Sequence, residues 1–307
     1  MPGGQAEGTR RRDDVTIGTA GGQEIRCSRD AKIRPSANTA ARYRQTGRVN
    51  RSGIRPSPIF IGLLAVAIVG GVLTALGTSQ DDISVEGGSL LLILGGWGVS
   101  LCLHEFSHAI VAYKGGDWAV RDKGYLTLDI RRYTDPVFSI VLPLLLLAFG
   151  GIPLPGGAVW VNHHALRTKR VESLVSLAGP LSNLVLGVIL TLIVRLIPFP
   201  ATATHSVFLI AGLSYLALLQ ILAFILNILP IPGMDGWGAI EPWLPPEARR
   251  FGAMVRPWAP LVIFVLLIGV ASVNEAFFSL TYNVFRLLGG SPFFAQVGQS
   301  DFLFWRS

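Results

Sequence analysis

The chain has 307 residues, half of them hydrophobic and only 15% charged, with a mean hydropathy of +0.51. So little polar surface does not cover a globule in water, which excludes an ordinary soluble domain. The net charge of +7 sits wholly in residues 1–56, where twelve Lys/Arg face five Asp/Glu, leaving fourteen of each sign in the rest.

Residues 1–56 read as a disordered basic tail. Short basic segments flanking a span stay in the cytoplasm, so the N-terminus is expected inside, touching anionic lipid. Arg10, Arg11, Arg12, Arg42, Arg44 and Arg48 form no folded recognition module with interleaved aromatics, so no nucleic acid is expected as a partner. The first apolar run begins only after Pro58 and is followed by no small-residue cleavage pattern, so a secretory signal is not expected. Cys27 falls in the tail and Cys102 in a span; a disulfide between them is not expected.

The first span is expected over 59–76, followed by an acidic loop with Asp81, Asp82 and Glu86 outside. A second begins near Leu90 and ends near Lys114, carrying HEFSH at 104–108. The polar stretch 115–135 is cytoplasmic by its arginines, and GYLTLDI (124–130) alternates like a short strand, suited to pairing with an unwound substrate. Residues 137–149 are apolar but too short to span, with Pro143 inside and basic flanks on both sides. These features predict a re-entrant hairpin returning through Gly150–Gly157. Further spans are expected over 171–197, 206–229 and 258–273, with 277–288 a tilted sixth span or an interfacial helix. The expectation is an all-α polytopic membrane protein with about six transmembrane helices, a re-entrant hairpin and a short β element. The membrane domain covers 57–290, and 291–307 is a C-terminal tail.

HEFSH carries the chemistry. His104 and His108, four apart, project from one helix face and reach one metal ion, while Glu105 is placed to take a proton from water. Ionisable groups at depth in a span are paired or functional. Of the other histidines, His163, His164 and His205 fall in loops. Asp235 is the better third ligand. Pro230 and Pro232 remove backbone donors and Gly233 and Gly236 permit unusual dihedrals, so the helix unwinds where a carboxylate must swing toward a metal. A helix cap at the membrane surface is the plainer reading of Asp235 taken alone. Two imidazoles and one carboxylate suit one Zn2+ per chain with a position left for water.

HEFSH in one span, AGPLSN at 178–183 in the next full span and NILPIPGMDG at 227–236 together resemble the site-2 protease family of intramembrane metalloproteases. The resemblance covers roughly residues 88–240. It implies a three-helix catalytic core with a zinc below the membrane surface, and hydrolysis of transmembrane segments of other membrane proteins. His104, His108 and Asp235 would bind the zinc and Glu105 would be the general base. Asn227 matches the motif asparagine, orienting substrate, stabilising an oxyanion or packing. Gly179, Pro180 and Asn183 would fix helix contacts. The loop before AGPLSN departs from the family's pattern, keeping only Val161 and Asn162 as candidate substrate contacts. The resemblance says nothing of oligomeric state. The rival readings are a metal transporter, which needs further ionisable residues in other spans, and an inactive scaffold, which needs no base such as Glu105.

Overall fold

The computed structural model describes residues 54–133, 161–198 and 205–306, all within the compact unit Arg51–Ser307. These residues are helical, with no strand among them. Helices α1 (Pro58–Leu76), α2 (Ile83–Gly115), α5 (Lys169–Leu196) and α6 (His205–Ile228) are the four long, apolar ones. Short helices α3 (Ala119–Asp122) and α4 (Ile130–Tyr133) follow α2. After α6 come α7 (Asp235–Ile240), α8 (Pro246–Val255), α9 (Ala259–Gly269), α10 (Ala271–Leu287) and α11 (Pro292–Phe302).

Helix α6 is the hub. Residues from Ile210 to Leu226 are buried almost without interruption, and the helix packs against α1, α2, α5, α10 and α11. A helix apolar on all sides belongs in the middle of a bundle. Helices α1 and α2 run together along a seam of small residues. A Cβ on Gly70 would lie 2.2 Å from the Leu92 backbone nitrogen, and one on Gly95 would lie 2.7 Å from that of Ala67. Such close approach is how apolar helices gain van der Waals contact where no hydrophobic drive operates between them.

Helix α2 starts seven residues before the expected apolar run. Asp82 caps it, accepting from the Ser84 amide at 2.8 Å, and Glu86 favours its first turn. Its 33 residues extend about 50 Å at 1.5 Å per residue. That is long enough to lift the capped end clear of a hydrocarbon core about 30 Å thick.

Three features differ from the sequence expectation. Residues 124–130 form no strand. Gly124 and Leu128 adopt left-handed dihedrals around a 3-10 turn at Tyr125–Thr127. The alternating Leu126, Leu128 and Ile130 are indeed buried, but backbone bonds are local or go to Ser57, whose amide donates to the Thr127 carbonyl at 2.8 Å. Alternation reported burial, not pairing. The expected span 258–273 breaks at Val270, where the chain is extended, and the Asn274 side-chain amide donates to the Leu267 carbonyl at 2.8 Å. With 11 and 17 residues, α9 and α10 are each shorter than the roughly 20 residues of a typical crossing. The described residues thus hold four spanning-length helices, or five if α8 and α9, bent by 65°, make one broken span, against the six expected. Finally, 291–307, expected as a tail, carries α11. Ala295, Phe302 and Leu303 join the main hydrophobic core, and a Cβ on Gly298 would sit 2.1 Å from the Ala211 carbonyl oxygen of α6. The expected re-entrant hairpin at 137–157 and the tail 1–53 lie outside the described residues.

Candidate metal centre

The centre forms where α2, α5 and the α6–α7 turn converge. One turn of α2 separates His104 from His108, and both are buried, 7% exposed, as is Glu105 at 3%. After α6 ends at Ile228, Pro230 and Pro232 cannot extend the helix, and Gly233, at φ 99°, takes a dihedral that side chains disfavour. The chain turns, and α7 restarts at Asp235 with Gly236 pressed on the end of α6, where a Cβ would meet the Ile228 oxygen at 2.1 Å. The unwinding expected from the prolines and glycines is therefore present, and it delivers the Asp235 carboxylate to the histidines.

The two Nε2 atoms lie 3.1 Å apart. Asp235 Oδ2 is 3.2 Å from His104 Nε2, and Oδ1 is 3.5 Å from His108 Nε2. Tetrahedral zinc with ligand bonds near 2.05 Å separates its ligand atoms by about 3.3 Å, so the three observed distances bracket the value a zinc ion needs. Among the described residues this is the one cluster of metal-ligating side chains of that kind. The facing helix leaves room for an ion: a Cβ on Gly179 of α5 would stand 2.2 Å from His108 Nε2 and 2.5 Å from His104 Nε2. The donor set and the cradle both fit zinc.

Each imidazole is held through its other nitrogen. His108 Nδ1–H donates to the Val175 carbonyl at 2.6 Å, and His104 Nδ1–H donates to Asn183 Oδ1 at 2.6 Å. Both bonds select the tautomer whose Nε2 lone pair faces the centre. Asn183 and Gly179 were legible in AGPLSN only as helix contacts; their part in the centre depends on which face of α5 meets α2.

Glu105, Asp235, Gly233, Met234 and Pro260 border two cavities. The inner one, of about 90 Å³, also meets His104, Asn183 and Asn227, the last only 5% exposed. The outer one, of about 310 Å³, runs past His108 to Val161, His163, Glu241 and Arg256. His163 is paired with Glu172 at 2.8 Å rather than with the cluster. Asn162 is exposed and does not line either cavity, although its neighbours Val161 and His163 border the outer one; its backbone amide donates to Asp117 Oδ2 at 2.7 Å. Four of the six candidate site residues and both cavities thus meet at Glu105 and Asp235, with Asn227 across the inner cavity and Asn162 apart.

Comparison with known proteins gives the same direction. A protein of Mycolicibacterium smegmatis named as the zinc metalloprotease Rip2 is 44% identical over 255 residues, 83% of this chain and 96% of the relative. Rip2 of Mycobacterium tuberculosis is 45% identical over 261 residues, 85% of this chain and 98% of the relative. YwhC of Bacillus subtilis, also named as a zinc metalloprotease, is 34% identical over 175 residues, 55% of this chain and 77% of that one. No family model and no solved structure matches. With Rip2 aligned over nearly its whole length and the ligand cluster assembled from HEFSH and the aspartate of NILPIPGMDG, the chain belongs to the site-2 protease family of zinc metalloproteases.

Proposed function

We propose that this chain hydrolyses peptide bonds in or near transmembrane segments of other membrane proteins, with one zinc held by His104, His108 and Asp235. The observation that supports this best is the meeting of three ligand atoms within 4.8 Å of one another between two cavities that both border Glu105 and Asp235, the inner one reaching Asn227. Bound zinc supplies an acidified water and a Lewis acid for the scissile carbonyl. Glu105 takes the proton of the attacking water and returns it to the leaving amine. The Asn227 side chain, across the inner cavity, donates to the carbonyl oxygen as it gains charge. The outer cavity gives an extended stretch of substrate a path to the centre, with Asn162 beside its mouth. A substrate helix must unwind first, because its carbonyls are otherwise closed in internal hydrogen bonds.

The supporting arrangement in the cell is a multi-pass protein of the cell membrane with its basic N-terminus in the cytoplasm and 137–157 as a re-entrant hairpin. The basic residues of 1–56 favour this orientation. A tag inserted near Gly156 and reachable only from outside the cell would refute the hairpin.

Zinc content per chain and cleavage of a co-expressed single-span reporter test the chemistry. The unmodified chain should carry about one zinc and cut, and Asp235→Ala should lose most of the metal. Glu105→Gln should keep the zinc and lose cleavage. Cutting by Glu105→Gln at the unmodified rate would remove Glu105 from its role, and full zinc in Asp235→Ala would mean another third ligand.

A further inference from the structure

A buried polar chain runs outward from His104 through the middle of the helix bundle. Asn183 Oδ1 accepts from the imidazole, so its amide group Nδ2 points the other way, 3.0 Å from Gln220 Oε1 and 3.3 Å from Ser100 Oγ. Ser100 Oγ–H donates in turn to Gln220 Oε1. Ser100, Asn183 and Gln220 are each at most 3% exposed and come from three different helices, α2, α5 and α6.

The directions of these bonds are linked. Were the Asn183 amide reversed, its oxygen would face the Gln220 oxygen, acceptor against acceptor, and its NH2 would face His104. The imidazole would then need its lone pair on Nδ1 and its proton on Nε2, where a metal must bind. Were the Gln220 amide reversed alone, two NH2 groups would oppose each other; pairing survives only if both amides reverse together, which again puts the Asn183 NH2 on His104. The observed orientation leaves Gln220 Nε2 buried without a partner among the described residues. An orphaned buried donor is costly, and a leucine in this apolar helix would avoid it. Something must offset that cost.

We propose that Gln220, with Ser100, is a positioning residue that fixes the tautomer of His104 through Asn183, setting metal affinity from two side chains away. The inference rests on His104 being a metal ligand. Gln220 does not border the inner cavity, whereas Ser100 does, beside His104 and Asn183, so the test is made at Gln220. Their contribution is to tie the Asn183 amide to that of Gln220, so that Asn183 accepts from His104, leaving Nε2 open, whenever Gln220 presents its oxygen.

The test is zinc affinity of the purified full-length chain by competition with a chelator. Gln220→Met keeps length and apolar fit but removes the acceptor, and should weaken zinc by about 10-fold, the low end for loss of an outer-shell partner. Gln220→Glu keeps an acceptor at the same place and should restore affinity to within about threefold, on the same reasoning. Thr281→Val, which removes a buried hydroxyl bonded only within α10, should leave affinity unchanged, so general loosening of the bundle is separated from the relay. If Gln220→Met does not fold, Gln220→Leu takes its place in the same comparison. Unchanged affinity in the apolar variant, or a Gln220→Glu protein as weak as it, overturns the relay. His104→Ala distinguishes the two levels: if it loses zinc while the apolar variant keeps it, the relay alone fails; if both keep it, the metal centre is misassigned as well.

Discussion

Gly179→Ala should cost metal binding far more than it costs the fold. The added Cβ would lie 2.2 Å from His108 Nε2, 2.5 Å from His104 Nε2 and 2.7 Å from His104 Cε1. Non-bonded carbon contacts settle near 3.5 Å, so the imidazoles or α5 itself must yield by about 1 Å. A metal site tolerates ligand displacements of only about 0.2 Å. Neither ring is free to swing, because the Nδ1 bonds to Val175 and Asn183 hold both. The expected loss is at least about 100-fold in zinc affinity, which is about 2.8 kcal/mol. Alanine meanwhile favours a helix interior over glycine by about 1 kcal/mol, and Gly179 has no left-handed dihedral to lose. Thermal unfolding of the metal-free protein in detergent should therefore fall modestly, because overpacking costs about 1–3 kcal/mol against that gain, while chelator competition shows zinc lost. Zinc affinity within threefold of the unmodified chain would refute the cradle, whatever the unfolding curve does.

Two further outcomes test other parts of the fold. Burial pushes the Asp301 carboxyl of α11 up to about 6, an interaction with Gln80 offsetting only part of that. The folded state therefore keeps a proton that the unfolded chain loses above about 4, so stability declines as pH rises from about 4 to 6 and then levels off, by at most about 3 kcal/mol. Asp301→Asn should raise the unfolding temperature at pH 8 and leave it nearly unchanged at pH 4; an equal shift at both would refute this account. Along the α1–α2 seam, Gly70→Ala drives a Cβ to within 2.2 Å of the Leu92 backbone nitrogen, whereas Gly62→Ala meets nothing within 4 Å. The first should destabilise by about 1–3 kcal/mol and the second should stabilise slightly, read by unfolding in detergent; equal effects would mean the seam does not hold the helices.

The spanning-length helices were legible because an uninterrupted apolar run has few alternatives. The expected 59–76, 171–197 and 206–229 became Pro58–Leu76, Lys169–Leu196 and His205–Ile228. Where the sequence misled, hydrophobicity was read as geometry. Residues 258–273 are continuously apolar, yet they break at Val270, where the Asn274 side chain closes the end of α9. The leucines of 124–130 alternate because alternate positions are buried, which a 3-10 turn against α2 achieves without a partner strand. Polar positions in 291–307 masked a helix whose Ala295 and Phe302 face the core.

The metal centre divides in the same way. The candidate ligands His104 and His108 are readable from their spacing within an apolar span, and Asp235 from HEFSH together with the prolines and glycines that unwind its approach. The groups that hold those ligands are not, since no spacing within α5 or α6 says which face meets α2. Gln220 stood in the apolar run LALLQILAF as a lone polar residue of the kind that membrane depth makes costly, and that was the one signal available. Its consequence follows from the packing: a bundle that brings α2, α5 and α6 together places Ser100, Asn183 and Gln220 in mutual contact. The contacts that assemble the three helices thereby also reach the His104 imidazole through Asn183. On the proposed relay, metal affinity and helix packing would be coupled at Asn183. The comparison of Gln220→Met with Thr281→Val measures that coupling, because both remove a buried polar group and only one of them stands in line with His104.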